Sequence, residues 1–377
     1  MKFLFICHET SRTGAPMVLL HFMRWLKRQQ SQIEVSLLTL KADVLQNEFR
    51  ETCTHFYDYE LLLKPERLGI VQRLLVKLGL KKVRNKRTLL LKQLEAEQFD
   101  LIYSNTIKSI PLGALLKNAI PKAKHIVHIH ELNVLIEQLL PNIKEFREAI
   151  DHVIVPSDLV KSHVISRWGF SKAKMSRVYE CTEVDLSTVL PKTDNEVLHI
   201  GGSGTVHWRK GYDVFIQVAR YLKKHYPEQH VKFTWVGKLY EHEQAIIKED
   251  LIKLDLDDIV KFVGEIEFPM TVYNTFDLFL MCSREDPFPL VCIEVGMLGK
   301  PIICFEGATG SSEIIAHGGG FMVPYLDIEA MATKIMHYTS HPEDLGLHGD
   351  INKREFSKFT PERICPELFS IINDQIK

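Results

Sequence analysis

SREDPFPLVCIEVGMLGKPIICF, residues 283–305, decides how the chain is read. The apolar run FDLFLM (276–281) leads into it as a strand, and Pro287 and Pro289 break any period. LVCIEVGMLG then repeats apolar residues at helical spacing until Gly299-Lys300-Pro301 stops it. The order is strand, tight turn, helix, strand, with Asp286 on the turn and Glu294 about one turn into the helix. The first amides of that helix, from about Leu290 and Val291, have no intrahelical partner and offer themselves to a phosphate. With a carboxylate on either side, the stretch suits a ligand that is anionic in its middle and hydroxylated at both ends. The competing reading makes Asp286 a helix cap and Glu294 a solvated helix residue.

Working outward, short apolar runs at KFLFIC, IEVSLLTL, FDLIYSN, KHIVHI and DHVIVPS alternate with longer helical stretches. That alternation predicts α/β architecture with a doubly wound parallel sheet. An irregular polar segment (178–196) interrupts it, and the pattern restarts with VLHIGG, VKFTWVG, IVKFVG, FDLFLM and PIICF. A length of 377 residues suits two domains better than one. We expect an N-terminal Rossmann-like domain over 1–185 and a C-terminal one over 190–358, with a helix at about 361–377 crossing back to the first.

Composition narrows the partners. A formal charge of −1 removes any whole-molecule argument for nucleic acid. The seven cysteines include no C-x-x-C pair, and several lie in apolar strand patterns, as expected of reduced core residues in a cytoplasmic protein. MKFLFIC (1–7) is too short an apolar run for a signal peptide and reads as a first strand. No run approaches the roughly twenty apolar residues of a membrane span.

EVLHIGGSGTVHWRKGYDVFIQVA (196–219) opens the second domain. Gly201, Gly202 and Gly204 follow a strand, but the dinucleotide pattern G-x-G-x-x-G fails because position 207 is His. Arg209-Lys210-Gly211 says more, since two cations and a helix start converge where a diphosphate could sit. Gly237 and Gly264 each follow a strand (TWVG, KFVG) and are placed to leave room for a base. The acidic run DLDD (255–258) reads as a solvated loop, and Glu313 is a lesser site candidate.

In the first domain, Gly14 lies in HETSRTGAP (8–16), the loop after the first strand, where a ligand of an open α/β sheet binds. A flexible turn glycine is the alternative. His130 ends HIVHIH (125–130), on the same face as His128 and nearer the carboxyl end. Residues 64–92 carry ten Lys and Arg against the single acid Glu66, with Arg73, Lys77, Lys81 and Arg84 as a stripe at helical spacing. At about 1 kcal/mol per engaged cation, half of them would hold an anionic membrane surface weakly and reversibly. The alternative is a solvated helix packed on its own domain. Aromatic residues are absent from the stretch, which argues against nucleic acid.

The 283–305 stretch resembles the signature of the family 4 retaining glycosyltransferases of GT-B fold: an acid, seven residues, Glu, a small-residue helix and Gly-x-Pro. Glu294, Gly299 and Pro301 fall in place, and Asp286 stands where Glu is usual. The resemblance also takes in the Lys-Gly pair 210–211 and His130, and lacks the family's usual Arg near Gly204; whether Arg209 replaces it stays open at this point. It implies two Rossmann-like domains facing across a cleft and a sugar moved from a nucleotide diphosphate sugar to a hydroxyl of a glycan or lipid-linked acceptor, in surface polysaccharide synthesis. The implied catalytic residues are His130, Asp286, Arg209 and Lys210, with Asp286 on hydroxyls of the transferred sugar. Gly14, Gly204, Lys210, Gly237, Gly264, Leu290, Val291 and Glu294 would bind the donor, Glu294 on the ribose. No cofactor or metal is implied. The rivals are a catalytically silent GT-B scaffold and an NAD-linked sugar epimerase or dehydrogenase, which the failed glycine fingerprint disfavours. A peripheral position on the inner face of the plasma membrane follows if the 64–92 stretch meets lipid.

Overall fold

The structure, a computed structural model, describes residues 1–64, 85–186 and 197–377. Arg73, Lys77, Lys81 and Arg84 of the basic stripe, and most of the expected interdomain segment, lie outside these described residues. The chain forms two compact units. One comprises Met1–Val155, Val164–Ser176 and Cys365–Lys377; the other comprises Pro156–His163 and Arg177–Ile364.

Among the described residues the first sheet has seven strands: β1 Lys2–Cys7, β2 Glu34–Thr39, β3 His55–Asp58, β4 Leu101–Asn105, β5 Lys124–His128, β6 His152–Val155 and β7 Met175–Arg177. Their order is β3-β2-β1-β4-β5-β6-β7. β1 pairs in parallel with β2 on one side and β4 on the other. The second sheet has six: β8 Leu198–Ser203, β9 Val231–Val236, β10 Val260–Phe262, β11 Leu278–Met281, β12 Ile302–Phe305 and β13 Gly320–Val323. Their order is β10-β9-β8-β11-β12-β13, again parallel, with β8 between β9 and β11. Each sheet therefore reverses its winding once, beside β1 and beside β8. Open α/β sheets bind ligands at the carboxyl ends of the strands flanking such a reversal.

The strands read as near-continuous apolar runs because helices cover both faces of a parallel sheet. Phe3 to Cys7 are fully buried, as are Leu278 and Phe279. In the first unit Leu4, Ile6, Leu38 and Ile102 pack under Leu90, Leu94 and Leu116. Phe369 of the last helix touches Trp25, with ring centroids 5.7 Å apart. In the second unit Phe215 meets Phe233 and Trp235 edge to face at 5.1 and 5.3 Å, a geometry that adds about 0.5–1.5 kcal/mol per pair to the burial itself. That cluster anchors the helix Tyr212–His225, whose first turn carries the site.

The DLDD run is solvated as expected: Asp255 and Asp258 are exposed and pair with Lys223. The helix after β1 begins at Gly14, two residues before Pro16.

Candidate active site at the second winding reversal

The carboxyl ends of β8 and β11 hold most of the residues singled out above. Gly211 starts the construction. It has φ +73°, and a Cβ there would lie 2.0 Å from the carbonyl oxygen of Cys282, just past β11. Only glycine tolerates both demands, so the turn Trp208–Lys210 and the helix after it are seated directly on the end of β11. Gly237, with φ +148°, plays the same part beside β8, because a Cβ there would meet the carbonyl of Gly204 at 2.1 Å. Gly204 itself lies against the aliphatic stem of Lys210. Gly264 follows β10 with open space around it.

The two loops are then stitched together. Arg284 donates twice to the Asp213 carboxylate, at 2.9 and 2.7 Å, and once to the Trp208 carbonyl. Arg209 donates to the Glu285 carbonyl at 2.7 Å. Lys210 Nζ lies 2.5 Å from Asp286 Oδ2, which also accepts from Ser283 Oγ at 3.1 Å, and Arg209 Nη1 stands 3.5 Å from Asp286 Oδ1. Burial opposes the charge of Asp286, but Lys210 and then Arg209 outweigh it and hold the carboxyl below its ordinary range. Asp286 is 5% exposed; its carboxylate faces cations, not open solvent.

The helix Leu290–Met297 begins after Pro289, and no side chain caps it. The amides of Leu290 and Val291 thus stand at its free end. Glu294 sits one turn in, half-buried. Burial alone pushes its carboxyl up to about 7; no neighbouring charge or hydrogen bond among the described residues offsets it. A carboxylate so placed lacks the donors that normally accompany burial, and the hydroxyls of a ligand would supply them.

In the first unit Gly14 is the exposed first residue of the helix Gly14–Gln29. His130 lies two residues past β5, its ring 3.8 Å from that of His128 and its Nε2 2.9 Å from Asn105 Oδ1. Asn105, at the end of β4, is fixed in turn by donating to the Ala15 carbonyl. Thr106 follows with φ +86°, a conformation costly for a β-branched residue. Its hydroxyl meets His8 Nδ1 at 3.2 Å, and the buried carboxylate of Glu131 braces the same turn through the amides of Ile107 and His130. Glu313 of the second unit accepts from the Leu159 amide and the Tyr179 hydroxyl, which gives it a structural task.

Two family models match consecutive parts of the chain: Glycosyltransferase Family 4 over residues 12–186 and Glycosyl transferases group 1 over 195–341. The chain belongs to the family 4, group 1 glycosyltransferases. Among curated relatives of this chain, the capsular polysaccharide biosynthesis glycosyltransferase CapM of Staphylococcus aureus is 29% identical over 238 residues, 61% of this chain and 60% of CapM. The lipopolysaccharide core biosynthesis mannosyltransferase LpcC of Rhizobium leguminosarum is 26% identical over 181 residues, 46% of this chain and 50% of LpcC. The chain thus spans half to three fifths of the length of these relatives. The Anabaena HepE structure in complex with UDP and glucose superposes with a TM-score of 0.78 at 18% identity, covering 99% of this chain and 100% of HepE. The two parallel-sheet units and this likeness make the fold GT-B.

Sequence reasoning did not reach Ser283, the Arg284–Asp213 brace or the strained Thr106. Arg284 and Asp213 are 71 residues apart, and no spacing rule joins them. The one available signal was the density of charge in SRED (283–286) opposite WRKG (208–211).

Proposed function

We propose that this glycosyltransferase is a retaining enzyme that moves a sugar from a nucleotide diphosphate sugar to a hydroxyl of a glycan or lipid-linked acceptor, in surface polysaccharide synthesis. One observation carries the reading: Lys210, Arg209, the uncapped start of the helix Leu290–Met297 and Glu294 are all built at one winding reversal. Cleavage of the donor leaves negative charge on the diphosphate. Lys210, Arg209 and the amides of Leu290 and Val291 are placed to stabilise it with charge-assisted hydrogen bonds. These groups supply the positive charge that the leaving diphosphate needs, so the reading requires no metal or cofactor. Glu294 takes ribose hydroxyls. His130 orients groups near the transferred sugar, attack comes on the face the diphosphate leaves, and the departing phosphate accepts the acceptor's proton. The name of CapM and the UDP and glucose bound to HepE support the donor class and the pathway.

The test is calorimetric titration with UDP-, GDP-, TDP- and ADP-sugars in the presence of a chelator. One of the four is expected to bind; binding of none, or binding only when metal is restored, would sink this account.

We also propose that the chain works on the inner face of the plasma membrane through residues 64–92. Among the described residues no helix is long and apolar enough to cross a membrane. Leu61, Leu62 and Leu89 are exposed beside Lys64, Lys86, Arg87 and Lys92, an apolar and cationic pairing suited to anionic lipid. Flotation should show binding to phosphatidylglycerol vesicles and not to phosphatidylcholine, with release by salt. Equal binding to both would exclude the electrostatic part.

A further inference from the structure

We propose that the second unit carries a structural site for a divalent transition-metal ion, Zn²⁺ in the first instance, held by His337, His341, Asp344 and His348 between the helices Ile328–Ser340 and Glu343–Phe356. The site lies apart from the diphosphate site and does not rest on the donor reading. The helix Ile328–Ser340 starts beyond the carboxyl end of β13 and runs back along the sheet. His337 thus comes to the amino-terminal half of that strand, where Phe321 meets His337 and His348 edge to face at 5.1 and 5.3 Å. The donor-site residues stand at the opposite ends of the strands.

Spacing gathers the four side chains. His337 and His341 are four residues apart, and so are Asp344 and His348, the separation that puts two ligands on one face of a helix. Asp344 is the hub. Its Oδ2 lies 2.6 Å from His337 Nε2, and its amide donates to the His341 carbonyl. The hydrogen bond from His337, and after it the neighbouring His348, His337 and His341, hold its carboxyl below the ordinary range. The rings of His337 and His341 stack with centroids 4.4 Å apart.

Two of the imidazoles already have the outer partner that a metal ligand needs. His341 Nδ1 stands 3.3 Å from the His337 carbonyl, and His348 Nδ1 stands 2.9 Å from the hydroxyl of the buried Tyr338. A carbonyl only accepts, so His341 carries its proton on Nδ1 and keeps the Nε2 lone pair for an ion. Metal-bound imidazoles donate their other N–H to an oxygen in this way. Nε2 of His341 and of His348 makes no hydrogen bond among the described residues. Imidazoles and a carboxylate without a thiolate suit Zn²⁺, Ni²⁺ or Cu²⁺, whereas Mg²⁺ and Ca²⁺ ask for oxygen throughout. On binding, the ion replaces the proton between His337 Nε2 and Asp344 Oδ2, that proton goes to solvent, and the exposed His341 side chain turns its Nε2 inward. The ion then staples two helices that only His341 and Pro342 join.

The experiment uses the full chain without an affinity tag, stripped with a chelator, dialysed, and titrated calorimetrically with Zn²⁺, with melting curves before and after. One equivalent should bind and raise Tm. Losing the outer partner of a metal ligand costs about 10- to 100-fold in affinity. Losing a ligand itself, in His341→Gln on one side or His348→Gln on the other, should weaken Zn²⁺ by at least about tenfold and abolish the rise in Tm. If His348→Gln does not fold, Asp344→Asn takes its place as the variant on the second helix. No binding by the wild-type chain overturns the proposal, and so does binding that both variants keep, which would put the ion elsewhere. Weakening in His341→Gln alone would reduce the site to a pair on one helix and overturn the staple.

Discussion

Lys210→Met should lower kcat by about 10²- to 10³-fold, the usual cost of removing one preorganised donor from a developing anion. With the proposed nucleotide diphosphate sugar as donor, the loss is expected in kcat more than in KM, because charge on the diphosphate would grow as the glycosidic bond breaks and the ammonium would gain most in the transition state. The same change should also destabilise the second unit. Lys210 is the nearest cation to Asp286, 2.5 Å from a 5% exposed carboxylate. Breaking a buried pair from one side costs about 3–5 kcal/mol. Arg209 and Ser283 still face Asp286, so the expected loss is nearer about 2 kcal/mol.

The pH dependence has a fixed sign. Asp286 is held below its ordinary value of 3.8, so its contribution is present above that value and fades as pH falls through the lowered one. The stability gap between wild type and Lys210→Met should be widest near neutrality and close in acid. Melting curves from pH 3 to 8, beside single-turnover rates, check both halves. A variant with normal kcat would remove Lys210 from the chemistry.

The pairing of Lys210 with Asp286 was only half legible in the sequence. The alternation of apolar strands with helical stretches led to two parallel sheets, because a strand buried on both faces leaves an unmistakable run such as KFLFIC or FDLFLM. Lys210 and Gly211 could be singled out because glycine after a cation at a helix start is a local signal, and the structure gives it a cause in the close approach to Cys282. The partner of Lys210 could not be read. Asp286 lies 76 residues away, and what joins them is the adjacency of β8 and β11, a property of strand order that no local window contains. The positive φ of Thr106 was hidden for a related reason. Nothing in YSNTIK (103–108) forbids ordinary strand geometry, and the turn is imposed by Glu131 holding the amide of Ile107 from another segment.

Glu294 poses the opposite problem, since the sequence located it while only the structure gives its charge state. Burial pushes its carboxyl up to about 7, with no charge or hydrogen bond among the described residues to offset it. Its folded value lies above the ordinary 4.5, so the folded chain is least burdened below pH 4.5 and loses stability as pH rises through about 7. Glu294→Gln removes that burden. It should therefore be more stable than wild type at pH 8, by about 1–2 kcal/mol after allowance for partial exposure to water, with the difference vanishing at pH 4. Binding should move the other way. Two hydroxyls donating to an ionised carboxylate are worth about 1.5–3 kcal/mol each, so Glu294→Gln should weaken the nucleotide by roughly 10²- to 10⁴-fold at pH 8. Wild-type affinity should itself rise between pH 6 and 8 as the carboxyl ionises, and the variant should be flat across that range. Gain of stability together with loss of binding identifies a group kept at a cost for its ligand. Loss of both would make Glu294 a structural residue, and the ribose would have to be held elsewhere.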